Sequence, residues 1–309
     1  MRISTSWSQQ TAVNSMLDQQ SRLLQTQLQL STGKKLLTPS DDPAAAVRII
    51  DLNQNIKQTE QYQSNITTAR SRLTMEDGVL QGATEILQRI HELGIQGLSG
   101  TNSPNARIAT ATEMDELNKQ LMGLANTKNS NGEYMFSGFK STTLPFSKDA
   151  TNPGAYGYAG DTNSRPIQID AARQVTDGDP GSSVFGIPTG SSPAIVPSPG
   201  SISNVFEAID KFTTDLKANT PNSASLDDIS KALDKVTLTR SSVGARLNAL
   251  DNQESINSDA NLNTKTALSA AEDLDYAEAI SRFSQQTASL QAAQQTFTQV
   301  KKLSLFNYL

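Results

Sequence analysis

The sequence contains no cysteine, and its only histidine is His91. Without cysteine there are no disulfides, no thiolate nucleophiles and no cysteine-ligated metal sites. A serine–histidine–aspartate arrangement would have to use His91, which no Gly-x-Ser-x-Gly turn precedes. The glycines at 154, 157 and 160 are loosely spaced and no predicted helix follows them, so they do not form a nucleotide-binding motif. The sequence therefore predicts no catalytic, cofactor-binding or metal-binding residues, and a protein that is not an enzyme.

Hydrophobic residues are scarce as well. They make up 36% of the chain, aromatic residues make up 5%, and the mean hydropathy is -0.43. Counting glycine instead of tyrosine still leaves the apolar share below the roughly 45–50% of ordinary globular domains. A chain this polar cannot surround one thick core. It can form elongated helical packing in which each helix buries a narrow stripe.

Two further absences bear on location and partners. No run approaches the roughly 18 apolar residues of a membrane-spanning helix, so no membrane insertion is expected. Residues 1–7 lack the apolar core of a secretory signal peptide, and composition alone would indicate a cytoplasmic protein. The net charge is -5, with basic and acidic residues interspersed, which argues against a nucleic-acid partner.

Proline and glycine are distributed unevenly. Eight of the 12 prolines and nine of the 18 glycines lie between residues 138 and 200, whereas residues 44–103 and 222–309 contain no proline. Because proline inside a helix costs about 3 kcal/mol, the two proline-free segments can form long helices and the middle segment cannot. Short alternating stretches in the middle segment, such as residues 166–170, predict β-strands separated by turns.

The two ends of the chain carry weak seven-residue repeats of large apolar residues. We predict that these two lines pair with each other or with copies from other chains, and we call them the predicted assembly seam. Polar residues at 10, 14, 21, 287 and 294 interrupt the lines, so both ends are expected to be disordered in the isolated subunit. The predicted assembly seam consists of Ile3, Trp7, Leu17, Leu24 and Leu28 near the N-terminus and of Tyr276, Ile280, Phe283, Leu290 and Phe297 near the C-terminus.

A turn with stop and start signals separates the first two predicted helices. Gly33 is well suited to end the first helix. Asp42 is placed to cap the second helix, and Pro43 follows at its first position, where the missing N–H does no harm. A metal site at Asp41 and Asp42 is the alternative, but no further ligands follow at helical spacing.

These patterns predict a mainly α-helical protein with a small β insertion, an α+β fold. Long helices from both chain ends would form an antiparallel bundle, with a central β-rich domain. We expect a terminal coiled-coil domain of residues 1–33 and 270–309, a helical core domain of residues 34–135 and 203–269, and a β-rich inserted domain of residues 136–202. The second predicted helix carries a heptad line of Leu52, Thr59, Ile66, Leu73, Leu80 and Leu87.

Several short stretches resemble the flagellin superfamily. Ser-Thr-Gly-Lys-Lys at residues 31–35, followed by Ser-Asp-Asp-Pro-Ala at residues 40–44, is similar to the turn and the acidic element that open the long helix of flagellins. The resemblance covers about residues 1–135 and 203–309. Four stretches resemble the flagellin-like hook-associated members of this superfamily: Met-Arg-Ile-Ser-Thr at 1–5, Gly-Glu-Tyr-Met-Phe-Ser-Gly-Phe-Lys at 132–140, Tyr-Ala-Gly-Asp at 158–161 and Ser-Leu-Phe-Asn-Tyr-Leu at 304–309.

The resemblance implies a structural subunit of the bacterial flagellum that joins the hook-side junction to the flagellin filament. It also implies a secreted, extracellular location reached through the flagellar type III export channel, which overrides the cytoplasmic expectation from composition. The implied partners are copies of this chain, flagellin, the other hook–filament junction protein and a flagellar export chaperone. Two alternatives remain open: a short flagellin that forms the filament itself, and a surface binding module or enzyme carried on the β insertion.

Overall fold

A computed structural model of the chain describes residues 5–149, 154–186 and 204–302. The chain forms two compact units. We call Met1–Glu60 together with Asp259–Leu309 the terminal unit, and Gln61–Ser258 the central unit. The three-part division expected from the sequence is a finer one, and it stays a prediction.

Helices dominate the described residues, and their bounds follow the proline pattern. The 56-residue α2 and the 50-residue α6 occupy the two proline-free segments, and α2 continues without a break through Gly78. At 1.5 Å per residue, α2 is about 84 Å long. The helices are α1 (Thr5–Thr32), α2 (Pro43–Leu98), α3 (Pro104–Ala125), α4 (Gly181–Val184), α5 (Val205–Lys217), α6 (Ser223–Glu272) and α7 (Tyr276–Lys302).

Two antiparallel β-hairpins lie in the central unit. Strand β1 (Phe146–Lys148) pairs with β2 (Tyr156–Tyr158), and β3 (Pro166–Asp170) pairs with β4 (Arg173–Thr176). Two-stranded hairpins are marginal alone, so they depend on packing against helices. For example, the Ile169 carbonyl accepts a hydrogen bond of 3.0 Å from the Asn257 side chain of α6. The predicted α+β fold, with helices at both ends and small sheets between them, is confirmed.

The central unit contains the hydrophobic core. The predicted heptad line on α2 is fully buried at Ile66, Leu73, Leu80 and Leu87. A cluster of phenylalanine rings from the β-rich segment and α5 joins this core, with Phe146 and Phe206 centroids 5.0 Å apart. All residues of the core cluster lie between positions 66 and 250.

The terminal unit has no comparable core among its described residues. Its buried apolar side chains there are Ile56, Leu274 and Ala279. Helices α1 and α7 pack against each other in this unit. A helix pair with so little buried apolar surface gains most of its stability from neighbours, because an isolated helix is marginal in water.

Candidate assembly interface

A short backbone bridge connects the end of α1 to the start of α7. The Lys35 N–H donates to the Glu272 carbonyl at 2.7 Å, and the Leu274 N–H donates to the Gly33 carbonyl at 3.0 Å. The Lys34 ammonium forms an ion pair with Glu272, whose hydrogen bond raises the pKa of Lys34. Since α1 ends at this bridge and α7 begins there, the two helices run antiparallel.

Gly33 makes this bridge sterically feasible. Its φ is +70°, in the left-handed region that ends many helices at glycine. A Cβ built on Gly33 would lie 2.8 Å from the Tyr276 hydroxyl oxygen. Gly33 therefore both ends α1 and allows the ring of Tyr276 to approach the backbone.

Gly33→Ala is expected to destabilise the α1–α7 pair by about 1–2 kcal/mol, because an L-residue is strained at this φ. Proteolysis of α1 and α7, followed by mass spectrometry, should become faster while the central unit stays protected. Gly78→Ala is the matched control, because Gly78 lies inside α2 with open space at the Cβ position. Alanine should stabilise α2 there by about 0.5–1 kcal/mol. Equal protease resistance of Gly33→Ala and the wild type would contradict this role of Gly33.

Buried and half-buried residues on α1 and α7 define the surfaces that these helices turn to each other. On both helices they alternate in steps of four and three, which is the spacing of a coiled-coil core. We call these two sets the inner faces. The inner face of α1 consists of Ala12, Met16, Gln19, Leu23, Thr26 and Leu30, and that of α7 consists of Ala279, Phe283, Gln286, Leu290, Ala293 and Phe297.

The approach of the Tyr276 side chain to Gly33 suggests a register for the pair. Because both helices rise equally per residue, seven residues back along α1 match seven residues forward along α7. From this we infer that Phe283 lies near Thr26, and Phe297 near Ala12. In this register the two phenylalanines of α7 meet smaller side chains of α1.

The predicted assembly seam divides between inner and outer positions. Phe283, Leu290 and Phe297 lie on the inner face of α7, whereas Tyr276 and Ile280 are more than half exposed. The described α1 residues are exposed in the single chain: Trp7 is 68% exposed, Leu17 57%, Leu24 52% and Leu28 56%. They do not belong to the inner face of α1, and their pairing with α7 or with other copies in the assembled state stays a prediction. Ile3 lies outside the described residues.

The physical reason for this difference is the phase of the helix. Leu17 and Leu24 each follow an inner-face residue, Met16 and Leu23, by one position, which corresponds to a rotation of about 100° around the helix axis. The inner-face residues of α1 were therefore missed. The signal that could have found them is the alternation of four and three steps, read together with the spacing of the phenylalanines.

Polar groups also lie in the inner faces. The Oε1 atoms of Gln19 and Gln286 are buried and have no hydrogen-bond partner among the described residues. An unpaired buried polar group costs about 1–3 kcal/mol. Of the interruptions predicted from the sequence, Gln10, Asn14, Ser21 and Gln294 are instead exposed. Thr287, the fifth, is half-buried.

Exposed large apolar side chains concentrate in the terminal unit. Nine of the fifteen found among the described residues lie there, although this unit holds little more than a third of the chain. On α1, Leu17, Leu24 and Leu28 are spaced seven and four residues apart and form what we call the outer stripe. A second apolar stripe on a helix is suited to a further partner helix.

The turn before α2 has the geometry of a helix cap. The Asp42 Oδ1 atom accepts a 3.0 Å hydrogen bond from the Ala45 N–H, and Pro43 is the first helical residue. The Asp41 carboxylate accepts hydrogen bonds from the N–H groups of Thr38 and Leu37, which lower the pKa of Asp41. Both carboxylates thus accept hydrogen bonds from backbone N–H groups. No group of three residues suited to hold a metal ion occurs in the described ranges.

Two of the stretches that resemble hook-associated proteins, residues 132–140 and 158–161, contact each other at the start of the β-rich segment. Gly138 has a φ of +65°, and a Cβ there would lie 2.9 Å from the Asp161 carbonyl oxygen. The Phe139 N–H donates to the Asp161 carboxylate at 3.0 Å, and the Tyr158 hydroxyl donates to the Phe136 carbonyl at 2.8 Å. Burial raises the pKa of Tyr158 to about 12. These contacts give the motif residues a structural role.

No helix in the described part of the chain combines the length and apolarity needed to cross a bilayer. The C-terminal motif at 304–309 lies outside the described residues. The candidate site is accordingly a surface for protein assembly, formed by the outer stripe and its exposed neighbours in the terminal unit.

Comparisons with known proteins identify the family. The bacterial flagellin N-terminal helical region matches residues 3–141, and the flagellin C-terminal helical region matches residues 226–309. The chain is 32% identical to flagellar hook-associated protein 3 of Escherichia coli and 33% identical to that of Salmonella typhimurium, over 99% of both chains in each case.

A solved structure supports the fold. The crystal structure of flagellar hook-associated protein 3 from Legionella pneumophila aligns with a TM-score of 0.64 at 24% identity, covering 72% of this chain and 98% of the other. This likeness speaks for the fold alone, whereas the near-complete sequence matches speak for the family. The chain belongs to the family of flagellar hook-associated protein 3.

Proposed function

We propose that this chain is a structural subunit without catalytic activity that joins the hook-side junction of the bacterial flagellum to the flagellin filament. The observation that carries the proposal is the terminal unit. Its two helical ends are of the flagellin type, and it exposes apolar residues that a soluble monomer would bury. Hook-associated relatives match the whole length of the chain.

The outer stripe gives this proposal its mechanism. Leu17, Leu24 and Leu28 would pack against helices of neighbouring copies, and each buried leucine would contribute about 1.5–3 kcal/mol. Flagellin presents ends of the same family, so it can continue the same packing on the filament side. The other junction protein would cover the hook side. Residues 1–33 and 270–309 would act together as the assembly domain.

Export fits the weakness of the α1–α7 pair. A chain that passes through the type III export channel must unfold its ends, and the unpaired oxygens of Gln19 and Gln286 lower the cost of opening this pair. An export chaperone would cover the apolar residues of α7 before secretion. The folded protein would then be extracellular.

The alternative of a short flagellin is less well supported. The flagellin regions match only the two ends and leave residues 142–225 unmatched. The hook-associated relatives match these middle residues as well. For a binding module or enzyme on the β insertion, no group of three residues suited to hold a metal ion occurs in the described part of that segment.

Electron microscopy of a deletion strain tests the proposal. A junction subunit predicts hooks without filaments, together with flagellin released into the medium. If the chain were a filament subunit, the released flagellin would be absent or the filament would be shortened. Normal filaments in the deletion strain would overturn both interpretations.

The outer stripe can be tested without disturbing the fold. Exchanging Leu17, Leu24 and Leu28 for glutamine keeps the helix propensity of α1 but removes its exposed apolar surface. We expect the triple variant to fold and to be secreted like the wild type, but not to restore filaments in the deletion strain. Leu238→Gln is the matched control, because Leu238 is 67% exposed in the central unit. Full restoration of filaments by the triple variant would refute a role of this stripe.

A further inference from the structure

An acidic residue occupies a core position of α2. Glu76 lies between Leu73 and Leu80 in a series of buried residues spaced alternately three and four apart, and it is only 2% exposed. Its Oε1 atom accepts a 3.2 Å hydrogen bond from the Asp179 N–H. Its Oε2 atom is buried and has no hydrogen-bond partner among the described residues. A charge on this carboxyl group would therefore be poorly compensated.

The charged groups around Glu76 already pair with one another. Arg72 lies 3.0 Å from Asp177 and 3.1 Å from Glu133, and Arg165 lies 3.0 Å from Asp177. Arg246 of α6 pairs with Asp179. The three arginines thus form ion pairs with three other carboxylates, and Glu76 is a fourth carboxyl group in the same region. Asp77, the next residue in the sequence, pairs with Arg240 at 3.0 Å.

These surroundings favour the neutral form of Glu76. Burial raises the pKa of Glu76 to about 8, and the nearby carboxylates of Asp179 and Asp177 act in the same direction. Arg246 and the hydrogen bond from Asp179 lower the pKa, but they do not outweigh burial. At neutral pH the carboxyl group therefore retains its proton in the folded chain.

The turn that contacts Glu76 connects the second hairpin to the core. Residues 177–180 follow β4, and the Asp177 N–H donates to the Arg165 carbonyl at 3.1 Å. Immediately after the turn, the Gly181 N–H donates to the Phe136 carbonyl at 2.8 Å. A cavity lined in part by Arg72, Arg165 and Asp177 opens beside the turn. Movement of this turn would therefore expose Glu76 to water.

We propose that protonated Glu76 is a pH-dependent latch, which holds residues 177–180 and the attached β3–β4 hairpin against α2 and loosens them when it ionises. The latch belongs to the central unit and is independent of the proposed role in assembly. Because the released carboxyl group ionises near pH 4.5, the folded chain holds the additional proton between about pH 4.5 and 8. Docking of the turn is thus strongest at low pH and weakens as the pH rises through this window. Above about pH 8 the docking of the turn no longer changes with pH.

Hydrogen–deuterium exchange of the full chain tests the latch. After correction for the pH dependence of intrinsic exchange, protection of amides in residues 165–181 should fall at least tenfold between pH 5.5 and 8. Protection in α3 should stay constant. Glu76→Gln keeps the shape of the side chain but cannot ionise, so its protection should remain level and exceed that of the wild type at pH 8.

Glu85→Gln serves as the control, because Glu85 is exposed on the same helix. This variant should retain the pH dependence of the wild type. Constant protection in the wild type, or an equally steep fall in Glu76→Gln, would overturn the proposal. If Glu76→Gln fails to fold, a carbon-13 NMR titration of the wild-type carboxyl groups decides instead. A pKa of Glu76 below 5 in that titration would also overturn the latch.

Discussion

Replacing Phe283 with aspartate is expected to open the α1–α7 pair and to leave the central unit folded. Phe283 lies on the inner face of α7, and Thr26 is a buried residue on the inner face of α1. The register inferred above brings the two together. The Thr26 hydroxyl already donates to the Arg22 carbonyl at 3.0 Å, so it has no proton for a new carboxylate. Loss of the half-buried ring costs less than the about 3–5 kcal/mol of a fully buried phenylalanine, but a carboxylate in its place adds a desolvation penalty.

Circular dichroism and secretion assays should reveal this opening. α1 and α7 contain 28 and 27 helical residues, so a measurable part of the helical signal should disappear. Unfolding of the remaining helices should keep its midpoint. We also expect the variant not to restore filaments in a deletion strain. Ser284→Asp provides the control, because Ser284 is exposed next to Phe283. An unchanged helical signal with normal filaments would show that the pair does not depend on this ring.

Secretion separates two causes of an assembly failure. If Phe283→Asp is exported but no filaments grow, packing in the assembly is lost. If the variant stays inside the cell, recognition before or during export is lost instead. Both outcomes are distinct from unfolding of the central unit, which circular dichroism detects.

Phe206→Ala should produce the largest loss of stability in the central unit. The Phe206 ring is fully buried, and its centroid lies 5.0 Å from that of Phe146 and 5.8 Å from that of Phe185. Removing a buried phenylalanine costs about 3–5 kcal/mol, through lost transfer free energy and the cavity that remains. Strand β1 and helices α4 and α5 meet in this cluster, so the whole β-rich segment should loosen.

Denaturant unfolding followed by circular dichroism measures this loss. The matched control is Phe139→Ala, because Phe139 is 57% exposed. It should change the free energy of unfolding by less than about 1 kcal/mol, as most exposed sites do. Similar losses in both variants would mean that the aromatic cluster does not support the central unit.

Local patterns predicted the helices and the central core well. The proline-free segments became α2 and α6, because long helices depend mainly on the absence of breakers. The heptad line through Leu73, Leu80 and Leu87 is buried, because a repeat sustained over several turns gives a helix one apolar face. The strand at 166–170 was also predicted, since its residues alternate between turn signals.

Interactions between distant parts of the chain were not predictable in the same way. The inner face of α1 contains alanine, glutamine and threonine, which stand out only when the phenylalanines of α7 are known. The environment of Glu76 depends on Asp179 and Arg246, which lie more than 100 residues away in sequence. The sequence places Glu76 between Leu73 and Leu80 of the heptad line, but it does not reveal the charges that surround this residue.

The backbone bridge at Gly33 has a consequence for folding kinetics. It joins Lys35 to Glu272, which are more than 230 residues apart in sequence, so it is a contact of very high contact order. Closing such a loop costs less once the intervening residues have folded and the free chain is short. The pairing of α1 with α7 should therefore be the last step of folding. A truncation that removes either helix should leave the other without its partner.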